Sequence, residues 1–148
     1  VILQADSGLM SIIGSRDGTE PCKVQAPVVD VTTGYIACLA VVAQLLDLQR
    51  QGKGGYIDVN LMNSALTLQQ TSMTNYLSER VIPEKVGSAA PYSAPIEAFP
   101  TQDGWIMVAA YNGTRWQDLC RILGVPELAG DARFASSADR VVNRPAMR

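Results

Sequence analysis

Histidine is missing altogether from these 148 residues. Without it, no Ser-His-Asp triad, Cys-His pair or ordinary His-based zinc site can be assembled from them. Cysteine is scarce. Cys22, Cys38 and Cys120 are too few and too scattered for a disulfide framework or a CxxC metal site. That usage fits a reducing, cytoplasmic compartment, and no metal is expected. Positive charge is not in excess: Lys plus Arg number 12 against 14 Asp plus Glu, and the pI is near 5.0. With no basic cluster, nucleic acid is not the expected partner. Long apolar runs are missing too. The longest, Tyr35 to Ala43, ends at Gln44 and Asp47, short of the roughly 20 residues a membrane span needs. No membrane association, signal-peptide pattern or internal repeat is expected.

What is present is a globular composition, 47% hydrophobic and 18% charged. The length suits one domain. The ends suggest otherwise, because the chain opens on Val1 and runs out through polar Asn143 to Arg148 with no closing apolar element. The sequence therefore reads as a piece of a longer chain.

Along the chain, Ser7 to Ile13 reads as a short helix and Gly14 to Pro21 as a loop. Asp30 then stands before a long helical run, Val31 to Gln49, apolar nearly all round and so expected to be buried on more than one side. Asp is a favoured N-cap. The run stops at the glycines of Gln51 to Gly55. Tyr56 to Val59 reads as a strand, Asn60 as an N-cap, and Leu61 to Leu77 as a helix. Helix, strand and helix with short connections is the grammar of an α/β fold. Between Glu79 and Pro100 four prolines and Gly87 fall close together, which reads as a linker. Thr101 to Gly104 is a hairpin-type turn, Trp105 to Ala110 a strand, and Thr114 to Leu123 a helix with Trp116, Leu119, Cys120 and Leu123 on one side, stopped by Gly124.

Few residues stand out chemically. Asp30 is either a plain helix cap or a carboxylate nucleophile toward an activated acyl group, since the positive end of a helix dipole favours negative charge there. Gly52-Lys53-Gly54-Gly55 lacks the order of a phosphate-binding P-loop, because a helix precedes it and a strand follows. Asp58 reads as a solvated or hydrogen-bonded strand residue, and Ser7 and Ser64 lack any base. The cysteines read as inert, buried thiols, and Trp105 and Trp116 as core. Asp139, Arg140, Arg144 and Arg148 read as a solvated face.

Several pieces together resemble the class III coenzyme A-transferase (CaiB/BaiF) family. They are Gln4-Ala5-Asp6-Ser7-Gly8-Leu9-Met10-Ser11 with Gly14; Pro27-Val28-Val29-Asp30 with Gly34; Gly52 to Leu61; Pro91-Tyr92 with Phe99 to Gly104; and Asp131 to Phe134 with Arg140 to Arg144. The order and spacing carry the resemblance, from Gln4 to Asn143. It implies the middle portion of a longer chain: residues 1–80 from a Rossmann-like α/β large domain, 81–97 a linker, and 98–148 the start of a smaller α/β domain, in an interlocked homodimer. It implies an enzyme that moves CoA, its co-substrate, between an acyl-CoA and a carboxylic acid. Asp30 matches the catalytic aspartate, which passes through an aspartyl anhydride and an aspartyl-CoA thioester. Leu61 matches a CoA-lining position, and Gly87 opens the stretch that matches a glycine-rich active-site loop, here short and poor in glycine.

The family also holds α-methylacyl-CoA racemases, which use the aspartate with a His and a Glu to move a proton. The Glu position falls in Tyr111-Asn112-Gly113-Thr114, which has no carboxylate, and that favours transfer. A non-catalytic dimerisation or scaffold module is the reading from another class. Formate, oxalate, carnitine-type, aryl and dicarboxylate substrates all occur across the family. The isolated piece is expected to be inactive and dimeric or aggregation-prone.

Overall fold

The computed structural model describes residues 1–147, so Arg148, assigned above to a solvated face, lies outside the described residues. The chain divides into two compact units, Val1–Lys85 and a second beginning at Val86.

The first unit is helical: α1 (Ile2–Asp6), α2 (Leu9–Ile12), α3 (Val28–Gln51), α4 (Leu61–Leu68) and α5 (Gln70–Glu79). Its core is Leu9, Val29 and Ala65, with Ile12, Ile13, Val24, Val28 and Leu61 packed around them. That core explains the first correction. The start of α3 was expected after Asp30, yet the helix begins at Val28, with Pro27 as N-cap and no side-chain capping bond. Burying Val29 against α2 and α4 outweighs the weak helix propensity of two valines. Asp30 is therefore the third residue of the helix and not its cap. An acidic group in the first turn still meets the positive end of the dipole. The other end follows expectation: Gly52 adopts φ 69° and donates its N–H to the Leu48 carbonyl at 2.8 Å, a left-handed cap that glycine takes without penalty.

Within these residues α3 is largely bare. Tyr35 is 69% exposed and Leu39 70%, and Leu45 and Leu46 are about half exposed, against the expectation of burial. By length and composition this 24-residue helix is apolar enough to cross a membrane. The run Tyr35 to Ala43 understated it, because scattered polar residues interrupt an apolar stretch without ending the helix. Cys38, expected to be buried, is exposed on α3.

Two further expectations change. Tyr56–Val59 is not a strand, because the sheet among the described residues contains no partner for it. The single helix expected over Leu61–Leu77 is two, α4 and α5, broken at Gln69. Gln69 Nε2 donates to the carbonyls of Ser7 (2.9 Å) and Ala65 (3.1 Å), which ties the break to the turn after α1. Asn60 caps α4 as expected, Oδ1 accepting the Asn63 N–H at 2.9 Å.

The second unit holds an antiparallel hairpin, β1 (Ile96–Pro100) and β2 (Trp105–Ala109), with Ile96 opposite Ala109 and Pro100 opposite Trp105. The turn Thr101–Gly104 and the second strand match expectation. The first strand does not, because its prolines read as linker. In a two-stranded sheet both strands are edges, so a terminal Pro100 need remove no ladder bond. Next come α6 (Gly113–Ile122), short 3-10 turns, and α7 (Ser137–Val142). Asn112 Oδ1 caps α6 from the Arg115 N–H at 2.9 Å, and Gly124 stops it with φ 74°. Trp116, Cys120 and Phe134 form the core, the two rings 5.7 Å apart and tilted by 59°. Leu123 and Trp105, both expected inside, are exposed.

The largest departure is at Arg140 and Arg144. Both are buried, where a solvated face was expected, whereas Asp139 is exposed as expected. Arg140 donates Nε to the Ala94 carbonyl (2.8 Å), Nη1 to Phe134 (2.9 Å) and Nη2 to Tyr111 (2.8 Å). Arg144 pairs with the buried Glu97 carboxylate at 2.7 Å and donates to the carbonyls of Ala90 and Ser93. A guanidinium carries five donors in a rigid fork. Here that fork ties the proline-rich segment to the hairpin and α7. Burial pulls the Arg140 guanidinium below its ordinary pKa and pushes the Cys120 thiol above its own.

Candidate active site

Asp30 and Leu61, far apart in sequence, line one cavity of about 310 Å³. The other lining residues are Val1, Ile2, Leu3, Gln4 and Val29. The local folding accounts for the meeting. Val29 and Ala65 share a core, which brings the beginning of α3 against α4, and Asn60 caps α4 so that Leu61 is its first residue. The cavity wall thus includes the first turns of two helices, whose leading N–H groups have no acceptor within their own helix. Such a wall favours an anion or a developing oxyanion. The remaining lining is mostly aliphatic, which lowers the local dielectric and strengthens those interactions.

The Asp30 side chain is exposed, so a substrate can reach it. Gln4 is its opposite in burial, only 6% exposed. Gln4 Oε1 accepts the Val24 N–H at 2.9 Å. Among the described residues its Nε2 has no acceptor, and it is not one of the buried atoms sealed from solvent. Sequence reasoning did not single out this amide as functional. The signal available was a lone polar side chain in the apolar run Val1-Ile2-Leu3-Gln4.

Gly87 belongs to the second unit, where it adopts φ 65°, and the neighbouring Ser88 hydroxyl accepts the Ala98 N–H at 2.9 Å. Asp58 is exposed and lines a separate cavity of about 150 Å³. Among the described residues no three His, Cys, Asp or Glu side chains gather as a metal site would require.

Comparison with known proteins defines the class. The profile of CoA-transferase family III matches residues 1–148, and the chain belongs to that family. It is 35% identical over 147 residues to the succinate–glutarate CoA-transferase of Agrobacterium fabrum, covering 99% of this chain and 36% of that protein. It is 31% identical to the acetyl-CoA:oxalate CoA-transferase of Acetobacter aceti, covering 99% of this chain and 38% of that one. The crystal structure of a CaiB/BaiF family protein from Brucella suis matches 98% of this chain and 38% of its own, at 33% identity and TM-score 0.73. The fold is accordingly the α/β fold of that family. The chain spans little more than a third of the length of these relatives.

Proposed function

We propose that the intact protein transfers CoA between an acyl-CoA and a carboxylic acid, with Asp30 as the nucleophile. The observation that carries this reading is the Asp30 carboxylate in the first turn of α3, exposed to a cavity that Leu61 also lines. The names of the relatives support the same chemistry, since they act between CoA esters and carboxylic acids.

The sequence of steps needs no external base. An Asp30 oxygen attacks the acyl carbonyl carbon, the C–S bond breaks, and CoA leaves as thiolate, giving a mixed anhydride. The thiolate attacks the aspartyl carbonyl, the donor carboxylate leaves, and an aspartyl-CoA thioester remains. The acceptor carboxylate attacks that thioester and expels the thiolate, forming a second anhydride. The thiolate then takes the acceptor acyl group and frees Asp30. Every nucleophile and leaving group is an anion, so no proton moves and no histidine is required. Backbone N–H groups at the helix starts around the cavity would supply donors to each tetrahedral oxyanion.

Within this reading Leu61 packs against CoA, Gly87 belongs to a substrate loop, and residues 1–80 and 98–148 fall in successive domains joined by 81–97. The protein is a homodimer in the cytoplasm, and the apolar face of α3 is covered by chain beyond these 148 residues. Racemisation fits less well, because Tyr111 to Thr114, where the racemase carboxylate would fall, holds none, and Asn112 there caps α6.

The test is Asp30→Ala in the full-length protein. Transfer is expected to be abolished, and hydroxylamine in the presence of acyl-CoA should trap an activated aspartyl group only when Asp30 is present. Ordinary turnover by the variant would overturn the reading and favour the scaffold alternative.

A further inference from the structure

The orientation of a glutamine amide is ordinarily a matter of assignment, because its oxygen and nitrogen look alike. At Gln4 the neighbour settles it. The group facing the amide is the Val24 backbone N–H, 2.9 Å from Oε1. A backbone N–H can only donate, so the oxygen must face Val24 and the NH₂ must face away. Among the described residues that leaves Nε2, with two hydrogens, without an acceptor, on a side chain that is 6% exposed. Nε2 is not one of the atoms sealed from solvent, so an acceptor arriving from outside can reach it and displace water. Gln4 and Asp30 line the same cavity.

Resting on the reading of Asp30 as nucleophile, we propose that Gln4 is a further catalytic residue, its Nε2 donating to the oxyanion that forms when Asp30 adds to the acyl carbonyl. In that step an Asp30 oxygen bonds to the acyl carbon and the C=O π pair moves onto the acyl oxygen. The Gln4 N–H stabilises that negative charge. The oxygen then reforms its double bond as the C–S bond breaks and the CoA thiolate departs. Gln4 gives up no proton. It acts as a fixed dipole, held in place by Val24 and therefore needing no reorganisation as charge develops. The ligand class is the reacting acyl group itself and not the adenine or phosphates of CoA.

The discriminating variant is Gln4→Glu in the full-length enzyme. A glutamate has the same shape and still accepts the Val24 N–H, so the fold is kept while the NH₂ donor is removed. At neutral pH kcat/KM is expected to fall by about 10²–10³-fold, the range for loss of one oxyanion donor. Thermal stability and affinity for free CoA should stay unchanged. As pH falls and the new carboxyl protonates, its O–H restores a donor and activity should recover relative to wild type, a profile that a purely structural residue would not produce.

Gln4→Met, neutral and without donors, separates donor loss from charge repulsion and should be impaired at every pH. Turnover of Gln4→Glu within about threefold of wild type at neutral pH, or full activity of Gln4→Met, would overturn the proposal. Asp30→Ala, assayed alongside, keeps the two ideas apart. If Asp30→Ala is dead and Gln4→Glu is fully active, only the role of Gln4 fails. If Asp30→Ala turns over normally, the nucleophile itself is wrong.

Discussion

In the unit Val1–Lys85 the longest helix leaves Tyr35, Leu39, Leu45 and Leu46 open to solvent, and burial reaches only Val29 along its length. In the unit beginning at Val86 two arginines lie almost wholly inside, each gripping three groups, and the apolar core of Trp116, Cys120 and Phe134 sits beside them. The first unit thus keeps a long apolar helix face for something else to cover. The second also leaves Trp105 and Leu123 exposed, but ties its interior together through directional bonds. The difference shows what each arrangement suits. An open apolar helix with its first turn at a cavity can be completed by further chain and still keep a reactive carboxylate accessible. A guanidinium knot holds a proline-rich segment that has few backbone bonds of its own.

The comparison breaks most sharply at Arg144. Arg144→Ala removes the ion-pair partner of a carboxylate that is 0% exposed, together with the bonds to Ala90 and Ser93. The expected loss is about 3–5 kcal/mol, read as an earlier urea transition of Trp116 fluorescence. No effect would mean that the second unit rests on its apolar core alone. A smaller effect is expected at α3. In the isolated 148-residue polypeptide, Leu39→Lys with Leu46→Lys should weaken self-association by at least about tenfold in sedimentation, since the bare stripe is the surface that aggregates. Unchanged association would place the sticky surface elsewhere.

The mildest test is acid. Hydrogen bonds from Ser136 hold the Asp139 carboxyl below its usual pKa, and Arg133 does the same for Asp131. A depressed folded-state pKa means the stabilisation is fully present above the unfolded value, about 3.9, and fades as pH falls through the folded value. Both groups are in the second unit, so its transition should weaken below about pH 4. Ser136→Ala should flatten that dependence. A pH profile identical to wild type would show the Ser136–Asp139 hydrogen bonds to be without weight.

Much of the organisation was legible along the chain. Gly52 and Gly124 ended helices, Asn60 began one, and the strand from Trp105 fell where its β-branched and aromatic residues put it. Those signals are local: a cap or a left-handed turn is satisfied by atoms within four residues. The main misses were non-local. The start of α3, the break at Gln69 and strand β1 each depend on a partner elsewhere, namely Leu9 and Ala65, the Ser7 carbonyl, and β2. Arg140 and Arg144 read as surface because a charge is ordinarily solvated. Only a set of converging carbonyls and one buried carboxylate makes their burial favourable.

At the site, the sequence placed Asp30 and Leu61 at helix beginnings, because capping chemistry is written in it, and the family resemblance added the CoA-lining role of Leu61. That the two share one cavity, and that Gln4 lines it with an amide whose oxygen is taken by Val24, was decided only by tertiary structure. The packing of Val29 on Ala65 draws the two helix starts together, and one backbone N–H at Val24 fixes which way the amide points.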